Sequence, residues 1–321
     1  IDAGAVLLFN RHTQLLEYVS SRGFYSDALR YTRLRLGEGN AGRAAKEHRI
    51  VNIPDLKEDI TGFERSKSFA DESFIAYYAI PLIAKGQIKG VLELFHRNSF
   101  NADSEWLDFS ETIADQAAIA IDNAALFNEL QRSNIELILA YDTTIEGWSR
   151  ALDLRDKETE GHSQRVTEMT FTIAHEMGIK EEELVHIRRG ALLHDIGKMG
   201  IPDSILLKPG KLTDDEWKKM KLHPVYAKEL LYPIEYLRPA LDIPYCHHEK
   251  WDGSGYPRGL KGEEIPLSAR IFAIVDVYDA MSSDRPYALA APKEKVLEHI
   301  HSLTGSHFDP KVAEIFLKLV L

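Results

Sequence analysis

The sequence predicts a multidomain α+β protein with a strand-rich N-terminal third, a long helical linker and an all-helical C-terminal half. A chain of 321 residues exceeds the size of most single hydrophobic cores, so two domains are expected. Apolar and polar residues alternate as in strands over about the first 100 residues, and helical spacing takes over from Ser104. The predicted segments are 1–125, 126–142 and 143–321.

Five β-rich runs predict the strands of the N-terminal segment. Two of them, Tyr77–Ile83 and Ile88–Phe95, flank the turn Lys85–Gln87 and so predict a hairpin. The others are Ala5–Phe9, Leu15–Val19 and Ile50–Asp55. Gly37–Gly42 is a glycine-rich turn that leads into a short helix. It does not indicate a dinucleotide site, because no strongly apolar strand precedes it and no acidic partner is suitably placed.

The predicted linker, 126–142, lies within a long helical pattern. Four apolar residues repeat there at spacings of four and seven: Leu126, Leu130, Leu137 and Tyr141. Such a seam favours pairing of the helix with its copy in a homodimer. The alternative is a helix that packs on its own domain.

A helix predicted over Glu181–Leu193 ends at a histidine–aspartate pair. The spacing from Ile187 to His194 puts His194 and Asp195 at the end of an apolar helix face, where a buried metal ion would sit. The capping box Thr213–Glu216 starts a further helix that leads to His223.

Two more helices are predicted to carry carboxylates. Glu158 and His162 stand four residues apart, and they share one face if the helix continues through the glycine between them. The apolar helix Leu267–Met281 carries Asp276 and Asp279 on one side.

Five histidines and three carboxylates near these apolar segments predict a multinuclear metal site. Taken singly, a histidine on an apolar face is more often a core residue than a ligand, so the set supports the site rather than any one member. Eight donors exceed the roughly four to six positions around one ion, which implies at least two ions with Asp195 as a natural bridge. Three carboxylates against two or three divalent ions leave a positive site for a phosphodiester. The eight donors are Glu158, His162, His194, Asp195, His223, His247, His248 and Asp276.

Such a site predicts hydrolysis of a phosphate ester. Two close ions ionise a bridging water near neutral pH, so the expected nucleophile is a metal-bridging hydroxide. No serine or cysteine sits with a base in this cluster. Lys198 could hold a phosphate oxygen as a point charge, and Arg285 could make a forked contact with a second phosphate. We therefore predict Asp195 and Lys198 as catalytic residues.

Charge and composition limit the partners. The formal net charge of −11 argues against duplex DNA or a membrane surface. No apolar run reaches the ~18 residues that a membrane span needs. Cys246 is the single cysteine, so no intrachain disulfide forms and a cytoplasmic location is expected. Because the chain begins at Ile1 rather than Met, we expect further residues upstream, where a signal peptide or anchor stays open.

The N-terminal third resembles GAF domains. The resemblance rests on Leu36–Gly39 with Gly42, Asn52–Asp55, Ile80–Leu82, Gly90–Leu94 and the helix Gln116–Ala124. It implies a central antiparallel sheet flanked by helices, in a module that senses a ligand or dimerises. A ligand-binding role and a purely structural one both stay open.

Residues from about 140 to 321 resemble the HD-GYP subfamily of HD-domain phosphohydrolases. The resemblance rests on His194–Lys198, His223–Pro224, His247–Pro257, Leu260–Pro266, Asp276–Ala280 and Ser283–Tyr287. It implies an all-helical domain that hydrolyses cyclic di-GMP to pGpG and, in some members, on to GMP.

The resemblance also implies how the site is used. The eight donors would hold two or three ions, usually iron or manganese, and the presence of Glu158 favours three. Lys198 and Arg285 would hold phosphates. Gly255, Tyr256 and Pro257 would line the substrate cleft, and we also predict Asp279 as a substrate contact.

The chain departs from the family pattern at one place in the predicted substrate loop. After Tyr287 the family usually continues with another basic residue, whereas this chain has Ala288. That puts substrate-loop contacts in question but no metal ligand.

Two rival functions stay open. They are a hydrolase for another cyclic dinucleotide and a signalling adaptor that binds cyclic di-GMP without cleaving it. The adaptor is disfavoured because every ligand position is filled.

Overall fold

A computed structural model describes residues 1–27, 29–57, 72–156, 161–283 and 290–320. The chain forms two compact units, Ile1–Ile135 and Glu136–Leu321. We call them the sheet unit and the helical unit and describe each by itself.

The sheet unit is built on one antiparallel sheet of six strands. Their order across the sheet is β3-β2-β1-β6-β5-β4, and every neighbouring pair is antiparallel. The strands are β1 (Ala3–Asn10), β2 (Leu15–Arg22), β3 (Arg33–Arg35), β4 (Val51–Ile53), β5 (Ala76–Ala84) and β6 (Gln87–His96). The five predicted strands and the predicted hairpin are confirmed, and among the strands of the described residues the three-residue β3 was missed.

Both faces of this sheet are covered. Along β5 every side chain except one is buried, because successive residues point to opposite faces and each face packs on a helix. Tyr77 and Ala79 share a core with Ala44 of α1 (Gly39–Glu47). Tyr78 and Ile80 point the other way, into a core with Ala114 and Ala118 of α2 (Ser104–Asp156).

The helical unit consists of the end of α2 and nine further helices among the described residues. They are α3 (His162–Glu176), α4 (Glu181–Leu192), α5 (Asp203–Leu206), α6 (Asp214–Met220), α7 (His223–Leu231), α8 (Asp242–Cys246), α9 (Leu267–Ser282), α10 (Lys293–Ser302) and α11 (Pro310–Val320). Short 3-10 helices cover Ile196–Gly200, Glu235–Ala240 and Gly262–Glu264.

Helix α9 lies at the centre of this unit. Ile271, Phe272, Ile274 and Val275 are all fully buried, and they belong to one core with residues of α3, α4, α10 and α11. A helix that is apolar on most sides is expected where other helices surround it. The predicted helix Leu267–Met281 and the predicted capping box of α6, in which Thr213 and Glu216 bond reciprocally, are both confirmed.

The condition on which Glu158 and His162 would share a helix face, a helix that continues through Gly161, is not met. Gly161 has a φ of 76°, in the left-handed region, and α3 begins at the next residue, His162. His162 is therefore the first residue of a helix. No helix among the described residues is long and apolar enough to cross a membrane.

Candidate metal centre

Seven of the eight predicted donors are brought together in the helical unit. They form two groups in which the donor atoms lie within 4.8 Å of one another. The first group is Asp195, His223, His247 and His248, and the second is His162, His194 and Asp276.

Most of the donors lie at or just beyond the ends of helices, and Asp276 lies within α9. His194 and Asp195 follow the end of α4, and His223 is the first residue of α7. Gly197 lets these segments meet, because a Cβ at this position would lie 1.8 Å from the backbone oxygen of His223. A substitution there would push α7, and its histidine, away from Asp195.

Four of the histidines are oriented by a hydrogen bond to Nδ1. His194, His223 and His247 donate to the backbone oxygens of Ala191 (2.8 Å), Met220 (2.9 Å) and Ile243 (3.0 Å), and His162 donates to Asp279 (2.7 Å). With Nδ1 carrying the proton, Nε2 is left as the lone-pair donor in each ring. The Nε2 atoms face the cluster, which is the arrangement that ligation by imidazole requires.

Asp195 lies between the two groups, with one oxygen toward each. Its Oδ1 is 3.3 Å from Nε2 of His223 and 3.7 Å from Nε2 of His247. Its Oδ2 is 3.0 Å from Nε2 of His194 and 2.7 Å from Nζ of Lys198. This is the geometry of a carboxylate able to bridge two cations.

At neutral pH most of these groups are in the protonation state that metal ligation requires: ionised for a carboxylate and neutral for an imidazole. Burial alone would raise the pKa of Asp195, but Lys198 and His194 hold it well below its ordinary value. Burial lowers the pKa of His223 to about 4 and that of His248 well below its ordinary value. Burial would also lower the pKa of His194, but the carboxylates of Asp195 and Asp276 outweigh it and raise the pKa to about 9. A cation entering the cluster would displace that proton.

The arrangement fits a metal site better than a closed hydrogen-bond network. Nε2 of His194 is buried, and its one close polar neighbour among the described residues is the Asp195 carboxylate, at 3.0 Å. Nε2 of His223 and Nε2 of His247 face each other at 3.3 Å. Acceptor atoms that face one another inside a protein need a cation to stabilise them, and nitrogen with carboxylate oxygen suits transition-metal ions.

Lys198 lies at the rim of the cluster in the 3-10 helix Ile196–Gly200. Its ammonium group bonds Asp195 and also Asp156 of α2, at 3.0 Å. Asp156 is a site residue that sequence reasoning missed, since it has no motif of its own. The two carboxylates hold the lysine in place beside the donors.

Asp279, predicted as a substrate contact, is hydrogen-bonded to the candidate ligand His162. Both of its oxygens are engaged, by Nδ1 of His162 and by Arg165 at 2.7 Å and 2.9 Å. These hydrogen bonds outweigh burial and lower the pKa of Asp279 to about 2. Arg165 was also missed, although its place one helical turn after His162 was a usable signal.

The Gly255, Tyr256 and Pro257 segment closes over one side of the cluster. The Tyr256 ring stacks on the His248 ring with centroids 4.7 Å apart, and its backbone N–H donates to the His248 oxygen. Gly255 packs on the backbone of residues 249 and 250. The buried carboxylate of Glu249 accepts from the backbone N–H groups of Arg258 and Leu260, which fixes this loop. Two predicted site residues, Glu158 and Arg285, lie outside the described residues.

Two family models match this chain. Residues 1–121 match the model of the GAF domain, and residues 147–312 match the model of the HD domain. Both domain types predicted from the sequence are thereby confirmed. Divalent metals are the cofactors of HD phosphohydrolases, in keeping with the donor cluster.

The chain is similar to several curated phosphodiesterases. Over 171 residues the chain is 48% identical to a cyclic di-GMP phosphodiesterase of Thermotoga maritima, which covers 52% of this chain and 46% of that protein. A cyclic di-GMP phosphodiesterase response regulator of Xanthomonas campestris is 40% identical, over 63% of this chain and 53% of its own length. A 3'3'-cGAMP-specific phosphodiesterase of Vibrio cholerae is 39% identical, over 62% of this chain and 37% of its own length. The chain thus spans about half the length of these relatives, or less.

Proposed function

Because this chain belongs to the HD-domain family, we propose that it is a metal-dependent phosphodiesterase that hydrolyses cyclic di-GMP to pGpG, GMP or both. The observation that carries the proposal is the inward orientation of the donors around Asp195. The names of the relatives at 48% and 40% identity support the substrate.

We propose two or three bound ions, with iron first and manganese second. The two donor groups would hold one ion each, bridged by Asp195, and a third ion would depend on Glu158. Bound divalent ions supply Lewis-acid activation of water and of the phosphoryl group. The preference for iron over manganese is part of the proposal, because nitrogen and oxygen donors suit several of these ions.

The side chains around the donors have separate tasks in this proposal. Lys198, held by Asp195 and Asp156, would contact a non-bridging oxygen of the phosphodiester. Asp279 would keep His162 in the tautomer that presents Nε2, and Arg165 would hold Asp279 ionised. Tyr256 would form the wall of the substrate cleft beside His248.

A second cyclic dinucleotide is the alternative substrate. Relatives named 3'3'-cGAMP-specific phosphodiesterases are 39% identical to this chain, close to the value for several relatives named for cyclic di-GMP. A binding adaptor without turnover is less favoured, because all seven described donor positions carry a ligand-type residue.

Homodimer formation and a cytoplasmic location belong to the same proposal. The α2 side chains of the predicted seam are exposed, Leu130 by 68% and Leu137 by 51%, which favours a partner helix. Light scattering at micromolar concentration should give the mass of two chains, and a monomer would exclude the seam. The boundaries 1–125, 126–142 and 143–321 remain our proposed domain division, and the lone Cys246 supports the location.

One sample tests the enzymatic proposal. Protein purified without oxygen should contain about two or three transition-metal ions per chain and should hydrolyse cyclic di-GMP. Full metal loading with tight cyclic di-GMP binding but no turnover would favour the adaptor. Preferential turnover of 3'3'-cGAMP would select the alternative substrate.

A further inference from the structure

A cavity of about 500 Å³ in the helical unit lies beside the loop that closes the metal centre. Its walls combine aromatic rings with lysines. Trp217, Lys218, Lys221, Lys250 and Tyr256 line it, together with Asp214 and Ser254. Aromatic faces beside cationic side chains are what a nucleotide, with its base and its phosphate, requires of a site.

This cavity shares a wall with the metal centre. The Tyr256 ring stacks on the candidate ligand His248, and the Lys221 ammonium lies 5.2 Å from the centroid of the same ring. A molecule that reaches the metal centre past Tyr256 would therefore extend into this cavity.

Two of the lysines that line the cavity form no ion pair with a carboxylate of the described residues. Lys218 pairs with Asp215 at 2.8 Å, on the exposed side of α6. Among the residues that the structure describes, neither Lys221 nor Lys250 has a carboxylate oxygen within 4.0 Å. Two lysines facing one cavity without a carboxylate partner favour an anionic ligand there.

The aromatic wall is held rigidly but is open to solvent. Trp217 lies on α6, whose start is fixed by the Thr213–Glu216 capping box and by Lys208, which bonds Glu216 at 2.6 Å. The backbone N–H of Lys221 donates to the Trp217 oxygen at 3.0 Å, so the two side chains lie one helical turn apart on one face. Even so, 47% of Trp217 is exposed. A large exposed indole beside lysine side chains is a stacking platform for a base.

We propose that this cavity binds the distal nucleotide of the cyclic dinucleotide, the half whose phosphate is not at the metal ions. Its purine base stacks on Trp217, and its phosphate contacts Lys221 and Lys250. The inference rests on the proposed function and names Trp217 and Lys221 as residues that determine substrate affinity.

The test compares Trp217→Ala and Lys221→Ala with the control Lys219→Ala, which removes the same charge from α6 outside the cavity. Each manganese-loaded protein is assayed with cyclic di-GMP and with bis(p-nitrophenyl) phosphate, a phosphodiester that has no base and no second phosphate. We expect both test variants to raise KM for cyclic di-GMP about tenfold or more, since stacking on one aromatic ring and a hydrogen bond between charged groups each have an effect of about that size. Metal content and turnover of the small phosphodiester should stay unchanged, and Trp217→Phe should recover most of the affinity.

Three outcomes overturn the inference. One is an unchanged KM for cyclic di-GMP in both test variants, and another is an equal loss with the small phosphodiester, which would indicate damage to the metal centre. If the wild-type protein turns over no cyclic dinucleotide, the proposed function fails, and equilibrium binding of cyclic di-GMP to the same loaded proteins decides the inference. Binding weakened by both test variants but not by Lys219→Ala would then support the cavity, whereas equal binding, or none to the wild type, would exclude it.

Discussion

Buried carboxylates are treated in opposite ways in the two units of this chain. In the sheet unit, Glu72 is fully buried and accepts hydrogen bonds from the backbone of Tyr25 and Ser26, from the Ser26 hydroxyl and from Arg97. In the helical unit, the buried Asp195 pairs with Lys198 and His194 through one oxygen, while its other oxygen faces Nε2 of His223. Glu72 is surrounded by donors of its own unit, whereas one side of Asp195 faces imidazole nitrogens that present lone pairs.

The difference teaches where a ligand is required. Burial alone would raise the pKa of Glu72, but protein N–H and O–H groups lower it below its ordinary value. At Asp195 the lowering comes from Lys198 and from a histidine that a metal ion would deprotonate. The Nε2 atoms of His223 and His247, which face each other at 3.3 Å, mark the place where a cation would supply the missing charge.

The largest expected effect comes from breaking the helical-unit carboxylate. Asp195→Asn removes the charge between the two donor groups, and turnover of cyclic di-GMP should fall by more than the roughly 10- to 100-fold that outer partners of a metal site cost. Metal analysis of the same protein should show lost ions. Asp215→Asn, at an exposed position of α6, is the matched control and should leave both measurements unchanged. Retained metal and activity in Asp195→Asn would contradict the assignment.

A smaller effect, on metal affinity, is expected at Asp279, which contacts the candidate ligand His162. Asp279→Ala removes the acceptor that orients His162, so metal affinity should weaken by about 10- to 100-fold, as measured by competition with a chelator. Asp279→Asn keeps an acceptor oxygen and should lose less. Glu168→Ala, on the exposed side of α3, serves as the control. Equal affinity in the wild type and Asp279→Ala would show that His162 needs no such support.

The corresponding substitution in the sheet unit, Glu72→Gln, should change the stability of that unit without changing the metal centre. Glu72→Gln leaves backbone donors and Arg97 facing an amide group, so the free energy of unfolding of the sheet unit should fall by about 1–3 kcal/mol. Metal content should not change, because none of the donors lies in that unit. Urea denaturation and metal analysis check the two halves of this prediction. Lost metal in Glu72→Gln would mean that the two kinds of buried carboxylate are not independent.

The smallest effect concerns acid. Burial lowers the pKa of His307 to about 4, below the ordinary 6.5, so the unfolded chain binds a proton more readily than the folded one. The contribution of the neutral, half-buried His307 to the stability of the folded chain is complete above pH 6.5 and is lost as the pH falls toward 4. Between pH 6.5 and 5 the helical unit should lose on the order of 1 kcal/mol through this group. His307→Gln should flatten that dependence in urea denaturation, and an unchanged slope would exclude His307 as its source.

Much of the fold followed from local patterns. Alternation identified five strands, and the capping box at Thr213 placed the start of α6, because both signals involve residues adjacent in sequence. The strand Arg33–Arg35 was missed because three residues are too few to show a period. At Gly161 the spacing rule failed, since a glycine with a left-handed φ begins a new helix there.

The residues of the candidate site fall into two similar groups: those that a local sequence pattern reveals and those that only tertiary packing brings to the site. His194 and Asp195, or His247 and His248, could be found because each pair is contiguous in sequence. Asp156 and Arg165 could not, because they contact partners 42 and 114 positions away, and only tertiary packing creates those contacts. Asp279 shared a helix side with Asp276, but sequence spacing could not tell a ligand from the residue that holds one.

Hydrogen exchange on protein stripped of metal and then titrated with manganese tests the central contrast most directly. Ions that bind the folded cluster stabilise it by mass action, by about 2.7 kcal/mol at a hundredfold excess over Kd. Protection should therefore rise around Asp195, His223 and His247 and stay constant around Glu72 and Glu93. Equal changes in both units, or no change around Asp195 at saturating manganese, would contradict the account.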